Sequence, residues 1–158
     1  MITRRKFVAA TVLAMAGAFP DAGYADPAAK AFLDRIYAAY KGKNSKGIGL
    51  ASAAELRRYF EPGLAAMMIK DRREADKHGD APDFDSDPFI GGQDWEIGAV
   101  DIVVNDTAPD KASATASFRN FDMPTKVVFE LVKLKTGWRI ADIDWGENGT
   151  LRGLYVKK

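Results

Sequence analysis

The sequence predicts an α+β fold in which N-terminal helices pack on one face of a curved four-stranded antiparallel sheet. Up to about residue 80, the apolar residues recur at the three- and four-residue spacing of a helix. From Trp95 onward they alternate at a period of two, as in half-buried strands. Short turn-forming segments separate the alternating stretches, which is typical of strands joined in hairpins. Helices followed by such strands favour a two-layer α+β domain.

Length and composition indicate one globular unit. The chain has 158 residues, of which 47% are hydrophobic and 28% are charged, so it can bury a core without covalent cross-links. It has no cysteine, which excludes disulfides, thiolate metal sites and a lipid-anchored N-terminal cysteine.

The first 25 residues have the layout of a secretory signal peptide. Arg4, Arg5 and Lys6 precede an apolar stretch that runs to Phe19, and small residues follow up to Ala25. "TRRKFV" resembles a twin-arginine export motif, while general secretory export remains an alternative. We expect the export machinery to remove residues 1–25, which leaves 26–158 as a single α+β domain. A periplasmic or secreted location follows.

The predicted mature protein is nearly neutral. Removal of Arg4, Arg5, Lys6 and Asp21 reduces the 23 basic and 22 acidic residues to 20 and 21. No basic stripe stands out, so nucleic acid is not an expected partner. The thirteen apolar residues of the leader are too few for a bilayer-spanning helix, and no mature transmembrane segment is predicted. No cofactor is predicted either, because the glycines lack the spacing of a phosphate-binding loop.

Three helices are expected before the sheet. Asp26 and Pro27 form a capping residue followed by proline in the first turn, which predicts a helix start. The apolar stripe of this helix consists of Phe32, Leu33, Ile36, Tyr37 and Tyr40. Ser52 and Glu55 have the spacing of a capping box for a second helix. A third helix is expected to begin at Pro62 and to end at Gly79.

Four strands are expected after residue 94. The first runs from Trp95 to Val104 with a bulge at Gly98, and residues 105–110 form a turn. Alternating alanines mark the second strand, and Val127, Phe129 and Leu131 mark the third. In the fourth, "WRIADIDW", strict alternation places one set of side chains on a common face: Trp138, Ile140, Asp142 and Asp144.

The segment "DFDSDPFIGGQDW" links helices to sheet and carries four aspartates. We interpret it as a proline-containing turn anchored by the rings of Phe84, Phe89 and Trp95. A weak calcium site is the alternative, with these ligands: Asp83, Asp85, Asp87 and Asp94. Pro88 stands where an EF-hand needs glycine, which disfavours that alternative. A histidine-based site would depend on His78 alone.

Several segments together resemble one bacterial family. They are "FLDRIYAAY", "YFEPGLAAMM", "DFDSDPFIGGQDW", "VVFELVKLKTGWRIADIDW" and "GTLRGL". In this order, over most of residues 30–154, the chain resembles the family called domain of unknown function 3828. The resemblance implies a cystatin-like, nuclear-transport-factor-2-like cone and an exported protein without an assigned reaction. Family members are often lipid-anchored, whereas this protein lacks the cysteine that anchoring requires.

Two functions are compatible with these patterns. The first is a non-catalytic periplasmic module whose concave face holds a small apolar or amphipathic ligand, or whose outer sheet face docks a protein. Its candidate binding residues are Tyr37, Tyr40, Asp94, Trp95, Asp142 and Trp145. The alternative is an isomerase, dehydratase or hydrolase of the cone type, with Asp142 as base opposite Tyr37 or Tyr40 across an empty cavity.

Overall fold

The computed structural model describes residues 26–42 and 44–156. The predicted signal peptide, residues 1–25, lies outside the described residues. Four α-helices and four β-strands follow in the order α1 (Pro27–Ala38), α2 (Ala53–Tyr59), α3 (Pro62–His78), β1 (Ile97–Ala108), β2 (Lys111–Asn120), β3 (Met123–Leu134), β4 (Gly137–Asp144) and α4 (Leu151–Val156). Among these residues, no helix is both long and apolar enough to cross a lipid bilayer.

The four strands form one antiparallel sheet in the order β1-β2-β3-β4. Helices α1 to α3 precede the sheet in sequence and contribute to the core on its inner face, so the predicted α+β fold class with a curved sheet is confirmed. Register shifts near the start of β1 and within β4 mark bulges, which bend the strands. The first of these lies at the predicted position beside Gly98.

The helix starts follow the sequence signals. The Asp26 carboxylate accepts a hydrogen bond from Ala28 N–H, and Pro27 occupies the first turn of α1. Ser52 and Glu55 form both hydrogen bonds of a capping box at α2. Helix α3 ends at Gly79, whose left-handed conformation (φ 72°) suits a residue without Cβ. These local rules require no tertiary contact, which is why the sequence predicts them well.

The core lies between α1 and the sheet. The predicted apolar stripe of α1, together with Tyr40 just beyond it, is buried throughout. Opposite it, the inward residues of β2 are mostly alanines, and their small side chains leave space for the rings of the helix. Tyr37 fills that space, with its ring 5.5 Å from Phe118 and 6.3 Å from Phe129. Ring burial of this kind is the main stabilising contribution to the layer packing.

Two strand predictions are wrong, and each has a physical reason. Strand β1 continues to Ala108 and turns through residues 109–110, whereas the turn was expected from 105. The polar Asp106 stays in the strand because its carboxylate accepts hydrogen bonds from the Asp26 N–H at the start of α1. In β4, a bulge between Ile140 and Asp142 reverses the alternation, so Ile143 is buried and Asp142 is not.

One glycine is required by the packing of the loop after α1. Gly47 has a φ of 64°, and a Cβ at this position would lie 2.8 Å from Tyr40 Cε1 and 3.0 Å from Trp95 Cη2. Gly79 has a similar φ of 72°, but nothing lies within 4 Å of the equivalent Cβ position. The two glycines therefore share the backbone conformation and differ in the surrounding space.

We predict that Gly47→Ala lowers the free energy of unfolding by about 2–4 kcal/mol, since it combines left-handed strain with overpacking of two rings. The matched control Gly79→Ala adds only the backbone strain and is expected to cost about 1 kcal/mol. Urea denaturation followed by tryptophan fluorescence measures both values. Equal costs for the two variants would contradict the close approach at Gly47.

Candidate functional site

The acidic loop is organised around a half-buried carboxylate, Asp87. Its Oδ2 accepts a 2.6 Å hydrogen bond from the Tyr40 hydroxyl, and its Oδ1 accepts a 2.9 Å bond from Phe89 N–H. The Tyr40 hydroxyl in turn accepts from Ile48 N–H at 3.1 Å. This network ties the acidic loop, the end of α1 and the loop before α2 to one another. Its position inside the fold indicates a structural role.

Burial raises the pKa of Asp87 above its ordinary value of 3.8, although the hydrogen bonds from Tyr40 and from the Phe89 and Ile90 N–H groups partly oppose that rise. Burial also raises the pKa of Tyr37 and of Tyr40, and the nearby Asp87 carboxylate adds to both effects. Both tyrosines are therefore neutral hydrogen-bond donors over the whole physiological range. The Tyr37 hydroxyl donates to the Phe89 carbonyl at 2.9 Å.

Aromatic rings anchor the same loop, as the sequence predicted. Phe89 is fully buried and stacks on Phe60 at 6.0 Å, while Phe84 stacks on Trp145 at 5.1 Å. The Trp145 indole donates to the Pro88 carbonyl at 3.0 Å. Trp95 packs edge-on against Tyr40 at 5.2 Å. The loop thus joins the helical layer to the end of the sheet.

The calcium alternative for this loop is not supported by the geometry. Within 26–42 and 44–156, no three acidic or histidine side chains come together as ligands for a metal ion. Asp87 points inward to Tyr40, while Asp85 and Asp94 are exposed and accept hydrogen bonds through their backbone carbonyls. Asp83, whose N–H donates to the Asp71 carboxylate, lies toward α3. His78 is exposed at the end of α3.

The proposed acid–base pair of the enzyme alternative does not form. The β4 bulge places Asp142 opposite Glu130 on the outer face, away from Tyr37 and Tyr40 in the core. The Asp142 carboxylate accepts hydrogen bonds from the N–H groups of Ile143 and Arg152, which hold the turn into α4. The expectation that Asp142 faces a tyrosine hydroxyl across a cavity is therefore wrong. A nearby backbone satisfies this carboxylate instead.

The six candidate binding residues are thus distributed over four places. Tyr37 and Tyr40 are buried in the core and use their hydroxyls internally. Asp142 lies on the outer sheet face, and Trp145 packs under the acidic loop. Only Asp94 and Trp95 line a concave surface together, in a groove of about 470 Å³ beside Gly42 and Glu96.

That groove continues into a second one of about 580 Å³ through the shared residues Gly42 and Glu96. We call this second part the hairpin-tip groove, and its lining residues are Gly42, Glu96, Ile97, Gly98, Ala99, Arg119, Phe121 and Asp122. The bulge of β1 forms its floor, and nothing lies within 4 Å of the Cβ position of Gly98. The turn between β2 and β3 forms its wall.

The turn at this groove carries exposed apolar side chains. Phe121 is 53% exposed and Met123 is 68% exposed. Phe121 and Asp122 occupy the two central positions of the hairpin and both have left-handed φ angles, 45° and 63°. Asparagine and glycine are the usual residues in such turns, and a left-handed phenylalanine is an outlier.

The tip is held in place by hydrogen bonds. Phe121 N–H donates to the Glu96 carbonyl at 3.2 Å, and the Asn120 side chain bridges to Glu96 N–H and the Asp94 carbonyl. The Arg119 guanidinium donates to the Asp122 carbonyl. Sequence reasoning missed this site, although one signal was present. Phe121 lies between two segments with alternating apolar residues, so it belongs to the turn and not to either strand, and an aromatic residue is unusual there.

The comparisons with known proteins assign no family to this protein. No protein-family model matches the chain, and no curated protein matches it. One solved structure is similar, described as the crystal structure of the type VI native effector-immunity complex Tae3-Tai3 from Ralstonia pickettii. The identity is 20% and the TM-score is 0.48, over 74% of this chain and 90% of that chain. The resemblance to domain of unknown function 3828 stays a prediction.

The role of the Tyr40–Asp87 contact is testable through its pH dependence. We predict that Tyr40→Phe lowers the free energy of unfolding by about 2 kcal/mol at pH 7, because Asp87 loses a donor to its charged form. Loss of this donor raises the pKa of Asp87 further. Protonation of Asp87 then relieves the penalty in acid, so the cost grows as the pH rises through the raised pKa of Asp87 in the folded wild type and on to its still higher pKa in the variant.

The matched control is Tyr37→Phe, which removes a hydroxyl bonded to a neutral carbonyl. It is expected to cost about 1 kcal/mol, equally at pH 3.5 and pH 7. Urea denaturation at both pH values measures the two variants. A pH-independent cost for Tyr40→Phe would show that Asp87 does not depend on this hydroxyl.

Proposed function

We propose that this protein is a non-catalytic interaction module that docks a partner protein through the hairpin-tip groove. The observation that carries the proposal is the exposed Phe121, held in a left-handed conformation at the tip of the β2–β3 hairpin. Left-handed conformations of non-glycine residues cost about 1–3 kcal/mol and cluster at binding and switch regions. Folding gains little from this ring, because half of it remains in water.

The surrounding surface suits a protein better than a small molecule. Phe121 and Met123 are exposed apolar side chains at the end of the β2–β3 hairpin, and aromatic and methionine side chains are enriched at protein interfaces. The groove beside Phe121 is lined in part by the β1 bulge. Meanwhile, the rings of Tyr37, Phe118 and Phe129 occupy the inner face, where a small ligand was expected.

Charge indicates the chemistry of the partner. The carboxylates of Glu96 and Asp122 border the groove, and Asp94 lies on its continuation. The one cation in the lining, Arg119, donates to the Asp122 backbone carbonyl and lies 3.9 Å from the Asp122 carboxylate, so the excess acidic charge comes from Glu96 and Asp94. The partner is therefore a protein with an apolar pocket that receives Phe121 and with lysine or arginine residues around that pocket.

The location proposed for this interaction is the periplasm or the exterior. Its support is the sequence of residues 1–25, with its basic start, apolar centre and small-residue exit. Twin-arginine export and membership of domain of unknown function 3828 are part of the same proposal. An exported protein meets its partner after export, so interaction is best assayed in intact cells.

The test places a photo-crosslinking amino acid, p-benzoylphenylalanine, at position 123 of the full-length protein in its native cells. The cross-linked protein is identified, purified and titrated against the wild-type protein by calorimetry. Phe121→Asn is expected to weaken that binding by about 30-fold, the loss typical of a central aromatic anchor. The same change is expected to raise the free energy of unfolding by about 0.5 kcal/mol, because asparagine tolerates the left-handed turn.

The control variant is Val103→Thr, since Val103 is 50% exposed but lies on the outer sheet face opposite Thr115. It is expected to leave the binding constant unchanged. Three results would contradict the proposal: no cross-link from position 123, a cross-link only to a second copy of this protein, or equal binding by Phe121→Asn. If Phe121→Asn is more stable than the wild type and binds the partner more weakly, the loss of binding is not caused by unfolding.

A further inference from the structure

We propose that a second site, the arginine cleft between α1, α2 and β4, binds a carboxylate joined to a small apolar body. The cleft has a volume of about 340 Å³ and is lined by Phe32, Arg35, Ile36, Arg58, Tyr59 and Arg139. None of these residues belongs to the hairpin-tip groove. The proposal for the cleft can therefore be tested independently of the proposal for the hairpin-tip groove.

Three guanidinium groups from three different elements surround this cleft. Arg35 lies in the last turn of α1, Arg58 in the last turn of α2, and Arg139 in β4. In the described part of the chain, the five ion pairs within 4 Å involve other cations, so none of these arginines forms a salt bridge, although Arg58 interacts electrostatically with Glu55. The nearby Glu55 is engaged by Ser52 in the capping box.

Helix electrostatics explain only part of this arrangement. Cations in the last turn of a helix are favoured by its dipole, which accounts for Arg35 and Arg58 singly. It does not account for Arg139, which comes from a strand and lines the same cleft. Like charges that line one cleft repel one another, and an anion bound between them would relieve that repulsion.

Arg139 is also pre-oriented. Its Nη1 donates to the Trp138 carbonyl at 2.8 Å, its Nη2 to Thr136 Oγ1 at 3.1 Å, and its Nε to the Arg57 carbonyl at 3.3 Å. An arginine has five N–H donors, so two remain for a ligand while the fork is held in one orientation. A guanidinium fixed in this way matches the planar, two-oxygen geometry of a carboxylate.

The floor of the cleft supplies the apolar contact. The partly buried ring of Tyr59, which packs edge-on against Phe89 at 6.1 Å, presents most of this apolar surface, because Phe32 and Ile36 are almost fully buried. A volume of 340 Å³ is at the lower end of the range for ligand sites, which suits a single ring with a short acidic arm. Such a group occurs in free aryl-alkanoic acids and at a peptide C-terminus that ends in an aromatic residue.

The test titrates the purified protein with two probes, phenylpropanoate and the peptide Gly-Gly-Gly-Phe with a free C-terminus, at low ionic strength. Amide chemical shifts around Ile36, Tyr59 and Arg139 report binding. The amidated forms of both probes are expected to bind at least tenfold more weakly, because they lack the charge. Tighter binding of the peptide by tenfold or more identifies the C-terminus of a polypeptide as the source, and otherwise the ligand is a small acid.

Arg35→Gln and Arg58→Gln are expected to weaken the tighter probe by about tenfold each, since both side chains are exposed and removable without loss of fold. The matched control is Arg73→Gln, an exposed arginine on α3 outside the cleft, with a change below twofold. Absence of shifts up to 10 mM of both probes, equal binding of the amides, or equal losses in Arg73→Gln would each overturn the proposal. Phe121→Asn is expected to leave probe binding unchanged.

Discussion

The packing of Tyr37 and Tyr40 holds the two layers and the acidic loop in one arrangement. Their rings lie against Phe118 and Phe129 of the sheet and against Phe89 of the loop. Their hydroxyls then reach Asp87 and the Phe89 carbonyl, so each aromatic contact is accompanied by a directional hydrogen bond. Ring burial supplies most of the stabilising free energy, and the hydroxyl contacts select one orientation of the loop.

That arrangement explains why the same residues are poor binding candidates. If the Tyr40 hydroxyl turned to a ligand, the half-buried Asp87 carboxylate would lose one of its two donors, at a cost of about 1–3 kcal/mol. The polar groups of these interior tyrosines therefore stabilise the fold and are not available to a ligand. Residues available for recognition are those that contribute little to the core, such as Phe121 at the hairpin tip and the arginines around the cleft.

Sequence patterns predicted the features that depend on local rules. The caps at Asp26 and Ser52, the left-handed end at Gly79 and the alternation of β2 each involve neighbouring residues only. The β4 bulge escaped prediction because "WRIADIDW" alternates well by composition, and only pairing with β3 shows that Glu130 faces Asp142 while Leu131 faces Ile140. One inserted residue moved Asp142 to the other face and removed the basis of the enzyme alternative.

Each of the two proposed sites has a local feature that opposes folding, and this feature cannot be read from one sequence alone. At the hairpin tip the cost is backbone strain in Phe121, and at the cleft it is the presence of three arginines that form no salt bridge within the described residues. Natural domains violate local rules mainly where function requires it, and they compensate elsewhere. Here the aromatic core around Tyr37 and Asp87 provides that compensation, because it fixes both α1 and the sheet that carry the two surfaces. The two proposed sites were found from features that oppose folding locally, namely backbone strain at Phe121 and the clustered arginines of the cleft. The acidic residues of the loop, by contrast, contribute to the stability of the fold.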